Sequence, residues 1–124
     1  MSVPRHVRQM VRLRAEPSIT VRMLVDTGAT YSVISPRLAK ALGIARLRRS
    51  VSLRLADGRR VRLGVGVAVV RIDGREAPIT MLVGRVPEPI LGVEALEGLG
   101  LVVDSRRKRL APSRPYAVRL GGYR

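Results

Sequence analysis

Nine carboxylates are available in this chain, and one of them stands where chemistry is expected. Asp26 follows the apolar residues Met23, Leu24 and Val25 and precedes Thr27, Gly28 and Ala29. A carboxylate behind an apolar strand is costly unless it is hydrogen-bonded, paired or used. Gly28 lets the backbone turn sharply and present N–H groups to that carboxylate. Asp57 and Asp73 each precede a glycine in a turn, which is the ordinary structural place for Asp. Glu16, Glu76, Glu88, Glu94, Glu97 and Asp104 lie in polar or helical contexts. Elimination leaves Asp26 as the candidate catalytic residue; the competing reading is a turn Asp that closes a strand end.

One carboxylate cannot be both acid and base toward the same water, whereas two close together can. Like charges a few ångströms apart cannot both ionise cheaply, so such a pair holds one proton between its members. The ionised member takes a proton from water, and the protonated member polarises a carbonyl. With one such Asp per chain, this mechanism demands a twofold homodimer whose axis passes between two copies of Asp26.

The elements that must position Asp26 are mostly strands. Val7–Arg14 alternates imperfectly and is broken by Glu16-Pro17-Ser18; Ile19–Val25 then leads into the Asp turn. Val33 and Ile34 form a short buried segment. Ser35 caps a short helix with Pro36 at its first position and Gly43 at its end. Val51–Leu55 and Arg60–Leu63 flank the turn Ala56-Asp57-Gly58-Arg59 as a hairpin. Val65–Ile72 and Glu76–Val83 flank Asp73-Gly74 as a second, so a meander of antiparallel strands is expected. Pro87 and Pro89 interrupt the pattern before Ile90-Leu91-Gly92, Val93–Leu99 suits a second short helix, and closing strands are expected around Asp104-Ser105.

The run Asp26-Thr27-Gly28-Ala29, the hairpin after it and the later Ile90-Leu91-Gly92 together resemble the retropepsin-like aspartic proteases. The resemblance covers roughly Ile19 to Leu110, most of the chain, and looks like the cellular and microbial single-domain branch. It implies an all-β, closed, barrel-like fold with one or two short helices, acting as a homodimer, and an aspartic endopeptidase activity that needs no cofactor or metal. It also implies roles. Asp26 is catalytic, Thr27 bonds across the dimer axis, and Gly28 contacts substrate backbone, with Ala29 completing the loop. Leu91 and Gly92 brace that loop from behind, Val33 and Ile90 line the cleft, and Ala56, Asp57, Gly58 and Arg59 tip a flap over the substrate. Retroviral members carry an acidic residue after the loop Ala and an Arg after the later Gly, and the two pair; here Thr30 and Val93 stand there, so both partners are missing together. Ala29 in place of Ser removes a hydroxyl donor to the catalytic carboxylate. Fewer donors favour the protonated form, so an optimum between mildly acidic and neutral pH is expected.

Length and composition fit one domain over residues 1–124, with a core over about 19–110 and termini that either pair as interface strands or form a mobile tail. The absence of cysteine excludes disulfides and thiolate metal sites. The single histidine, His6, would have to carry a triad or a multi-histidine metal site alone. No apolar run has the length of a membrane span, and no apolar stretch follows the charged N-terminus, so a cytoplasmic protein is expected. The net charge is +15, but 22 of the 24 basic residues are Arg and they are spread along the whole chain. The denser clusters are Arg46–Arg49 and Arg106–Arg109. With only Tyr31, Tyr116 and Tyr123 as aromatics, a base-stacking platform is poorly supported and nucleic acid is not the expected partner. Two other readings stay open: a retropepsin-fold homodimer that binds peptide or protein without efficient cleavage, and a basic nucleic-acid-binding β-protein.

Overall fold

A computed structural model describes residues 7–44, 50–54 and 57–113. His6, Ala56, the Arg46–Arg49 cluster, Tyr116, Tyr123 and the C-terminal tail lie outside the described residues.

Alternation of side chains builds the first pair of strands. In β1 (Val7–Leu13), Val7, Val11 and Leu13 are buried while Arg8, Met10 and Arg12 face outward. In β2 (Ile19–Val25), Met23 and Val25 are buried and Thr20 and Arg22 are exposed. These periods match, and the strands pair antiparallel from Val7↔Val25 to Leu13↔Ile19. β3 (Ser32–Ile34) follows, then α1 (Pro36–Ala41), whose N-cap Ser35 accepts the Leu38 N–H at 3.1 Å. Gly43, at φ +67°, turns the chain out of that helix.

β4 (Ser50–Arg54) pairs with β5 (Arg60–Ile72). The two strands expected at Arg60–Leu63 and Val65–Ile72 are one strand of 13 residues. Gly64 does not interrupt it because Gly64 is held on both sides, opposite Ser50 in β4 and Val83 in β6 (Arg75–Val83). The β5–β6 turn is at Asp73-Gly74, with φ of 49° and 78°, the left-handed pair that a two-residue hairpin requires. β7 (Ile90–Leu91) and α2 (Val93–Leu99) come next, and β8 (Leu101–Asp104) and β9 (Arg109–Pro112) form a separate two-stranded sheet.

The large sheet has seven strands in the order β1-β2-β7-β3-β6-β5-β4, and a further β1–β5 pairing closes it into a barrel. The expected meander accounts for β4, β5 and β6. It does not account for the parallel pairs β2–β7 and β3–β6, which bring distant segments to the centre of the sheet. Inside lie Val11, Leu13, Met23, Ile34, Val70, Ile72, Ile79, Met81 and Leu91, with Leu96 and Leu99 of α2 closing one end. Arg75 anchors that helix by donating to the carbonyls of Leu99 (2.9 Å) and Gly100 (3.0 Å). Among the described residues no helix is long and apolar enough to cross a membrane.

The capping bond of α1 gives a direct check. Ser35→Ala removes the side-chain acceptor at that helix start, and a loss of about 1 kcal/mol is expected in denaturant unfolding. An unchanged midpoint would show that Pro36 alone fixes the turn.

Candidate active site

Asp26 is placed by β2 and then taken over by β7. The parallel ladder runs from the Leu24 N–H to the Pro89 carbonyl (2.9 Å) and from the Asp26 N–H to the Leu91 carbonyl (3.0 Å). The chain then turns tightly: the Ala29 N–H donates to the Asp26 carbonyl at 3.1 Å, and the Gly28 N–H donates to Asp26 Oδ1 at 2.9 Å. The turn therefore presents an amide to the carboxylate, as the Gly28 position predicts. A Cβ at residue 28 would stand 3.2 Å from that same Oδ1, so a side chain there would crowd the carboxylate. Asp26 is half-buried, and Thr27 and Gly28 are exposed.

Behind the turn, α2 and the loop satisfy each other. The Val93 N–H donates to the Ala29 carbonyl at 2.8 Å and the Glu94 N–H to the Thr30 carbonyl at 2.9 Å. Both donors belong to the first turn of α2, where no intrahelical acceptor exists. Thus backbone bonds join the loop to the residues after Gly92, and Thr30 and Val93 each take part through their main chain. Gly92 itself has no room for a side chain, since a Cβ would meet the Tyr31 carbonyl carbon and oxygen at 2.6 Å and the Ala29 oxygen at 2.9 Å. Its N–H goes to Ser32 Oγ at 3.0 Å, and Ser32 is fully buried.

Around this clasp the sheet aligns a row of half-buried apolar residues. Leu24 lies opposite Ile90, and Ile90 opposite Val33. The row runs from the strand that carries Asp26 through Ile90 in β7 to Val33 in β3, one strand further on. Arg8 pairs with Leu24 in the ladder, and its guanidinium meets Glu88 in a two-bond ion pair (2.8 and 3.1 Å). The hydrogen bond and charge of Glu88 hold the Arg8 guanidinium above its ordinary pKa. The hairpin tip is a separate unit. There Asp57 accepts the Arg59 N–H (3.0 Å) and Arg59 Nε (2.7 Å), and Gly58 takes φ +88°. These bonds hold the Asp57 carboxyl below the usual carboxylate range, the Arg59 backbone N–H first and its guanidinium second. Among the described residues, β5 and β6 connect the hairpin to the sheet, and no hydrogen bond links it directly to the Asp26 turn.

The sequence alone does not show Ser32, Glu94 or Leu24 as parts of this assembly. Ser32 is a lone hydroxyl between Tyr31 and the apolar Val33-Ile34, which is a faint signal of a buried acceptor. The Glu94 carboxylate accepts the Thr80 N–H (3.1 Å) and hydroxyl (2.8 Å), tying α2 to β6. An acidic residue in a first helical turn normally suggests only helix stabilisation.

Residues 16–98 match a protein-family model described as "gag-polyprotein putative aspartyl protease". The chain belongs to the retropepsin-like aspartic proteases. Among solved structures it is similar to the EIAV protease complexed with the inhibitor HBY-793. The TM-score is 0.66 at 24% identity, over 81% of this chain and 93% of that one. No curated protein matches it in sequence. The family and the mostly-β, two-helix fold expected from the sequence are thus both found.

The clasp yields two stability predictions. Gly92→Ala drives a Cβ into fixed backbone, and a loss of about 1–3 kcal/mol or more is expected in denaturant unfolding. Ser32→Ala leaves the Gly92 N–H buried without its acceptor, which costs about 1–3 kcal/mol. Wild-type stability in both variants would show that the loop and α2 are not held this way. At the hairpin, an NMR titration of Asp57 is expected to give a midpoint below that of an ordinary Asp. The stabilisation it reports is present above the unfolded-state value and is lost as pH falls through the folded one. Arg59→Ala keeps the backbone donor, so it should move the midpoint only partway back.

Proposed function

We propose that this protein is an aspartic endopeptidase that works as a homodimer, with Asp26 from each subunit forming the catalytic pair. The observation that carries this reading is the Asp26 carboxylate itself. It is half-buried at the end of a sheet strand, held by a backbone N–H at 2.9 Å, in a turn that is otherwise open to solvent. A carboxylate serving only to close a turn would not call for the clasp of β7 and α2 behind it.

In this reading the two Asp26 carboxyls share one proton. The ionised member takes a proton from a bound water as the water oxygen bonds to the peptide carbonyl carbon. The protonated member gives its proton to the carbonyl oxygen, producing a gem-diol. Collapse of the diol breaks the C–N bond; one carboxyl returns a proton to the departing nitrogen while the other takes one from a diol hydroxyl. Thr27, exposed in the single chain, braces the two turns across the axis, and Gly28 and Ala29 keep them narrow. Val33 and Ile90, with Leu24 beside them, supply an apolar cleft wall, and Leu91 and Gly92 support the loop from behind. The hairpin tip from Ala56 to Arg59 closes over bound peptide.

The test is cleavage of a diverse peptide pool from pH 3 to 8 by wild type and Asp26→Asn, with products read by mass spectrometry. Cleavage by wild type between mildly acidic and neutral pH, lost at least about 1,000-fold in the variant, is the expected result. No cleavage by a folded dimer at any pH would leave the fold as a peptide- or protein-binding module.

A further inference from the structure

We propose that the outer face of β1, β2 and β5 is a docking site for an acidic segment of the protein substrate, outside the cleft. This rests on the endopeptidase reading above. Met10, Arg12, Thr20 and Arg71 line a shallow open depression of about 350 Å³, with Ile72, Asp73 and Gly74 at its turn end. Arg12 lies directly opposite Arg71 in the β1–β5 ladder and opposite Thr20 in the β1–β2 ladder. Arg22, two residues along β2 toward Asp26, is exposed opposite Met10.

Like charges placed directly opposite across a ladder are destabilising. Four arginines elsewhere in the fold have acids: Arg8 has Glu88, Arg14 has Glu76, Arg59 has Asp57 and Arg107 has Asp104. Arg12, Arg22 and Arg71 have no carboxylate partner among the described residues. Glu76, opposite Arg71 in the β5–β6 ladder, is bonded to Arg14 at 2.8 Å. Three guanidiniums thus stand free on one sheet face, and guanidinium pairs well with carboxylate.

Position ties this patch to the cleft. Thr20, Arg22 and Leu24 share the outward alternation of β2, and Asp26 follows at its end. Six residues at ~3.3 Å each put Thr20 about 20 Å from Asp26 along the strand. An extended substrate covers that distance in roughly six residues, so acidic residues roughly five to eight positions from the scissile bond reach the patch. In a twofold dimer one copy of the patch serves each end of the substrate. An acidic peptide fits better than nucleic acid: the patch holds no aromatic side chain to stack a base, and Asp73 at its end would repel a continuous phosphate track.

The experiment compares two peptides sharing one cleavable core, one with three Glu placed six residues from the scissile bond and one with three Gln. They are cleaved by wild type and by Arg12→Gln/Arg71→Gln, at low and high salt. The expected result is a KM roughly fivefold or more lower for the Glu peptide with wild type at low salt, with kcat little changed. The double variant and high salt both erase that preference without altering the Gln peptide. Because the substitutions relieve a like-charge pair, the variant's melting temperature is expected to match or exceed wild type. A KM preference that survives in the variant, or no preference at all, overturns the proposal. If wild type cleaves neither peptide, the endopeptidase reading fails separately, and fluorescence anisotropy of the same labelled peptides decides the docking site. Tighter binding of the Glu peptide that is lost in the variant supports it, and equal binding of both overturns it. An oligonucleotide of equal charge that binds more tightly than the Glu peptide, and loses this in the variant, also overturns it.

Discussion

Helix α2 begins without a side-chain cap, and the Asp26 turn supplies what is missing. The first N–H groups of any helix need acceptors from outside it. Here the Ala29 and Thr30 carbonyls accept from Val93 and Glu94. The usual solution, a Ser or Asp at the N-cap, is closed to this chain, because Gly92 packs against the Tyr31 and Ala29 carbonyls with no space for a Cβ. Helix and loop therefore each complete the other's hydrogen bonding. The carboxylate is positioned by a structure that cannot relax locally without exposing buried polar backbone.

The barrel exists in a form that permits this clasp. β7 has only two residues, yet it pairs parallel with β2 and antiparallel with β3. Such a short strand contributes little by itself. Its role is geometric: it fixes the ends of β2 and β3 against the start of α2, and all three meet at the Asp26 turn. Closure through β1–β5 keeps β1 and β2 from fraying away from that junction. The end of the sheet where β2, β7 and β3 meet carries the Asp26 carboxylate, while the hairpin of β4 and β5 extends from the other side of β6.

Legibility in the sequence followed the range of the interactions. Ile19–Val25, the Ser35-Pro36 helix start and the Asp73-Gly74 turn are set by alternation, capping and backbone freedom within a few residues, and the structure has them at those positions. Asp26 is marked as a candidate by its immediate neighbours, an apolar strand before it and Thr27-Gly28 after it. The parallel pairs were not legible, since nothing in Ile90-Leu91 says which distant strand it will meet. Ser32 and Glu94 were missed for the same reason. Their partners, Gly92 and Thr80, lie 60 and 14 residues away, and each side chain alone is ordinary. The split of β5 at Gly64 failed differently. Glycine weakens an isolated strand, but at Gly64 ladders on both sides outweighed that preference.

The distribution of charge separates structure from surface in the same way. With a net charge of +15, the chain cannot neutralise most of its arginines internally, and several of its nine carboxylates are committed to structural contacts. Glu94 holds α2 to β6, Glu88 ties the segment before β7 to β1, and Asp57 and Asp104 fix turns. Asp26 differs: its carboxylate accepts from the Gly28 amide two residues on, and among the described residues no cation pairs with it. In the proposed catalytic pair, an arginine beside it would hold it ionised and deny it the shared proton. Keeping guanidinium away from this turn, while leaving it on the outer sheet face, is consistent with one chemistry at the centre of the fold and attraction of acidic chains at its edge.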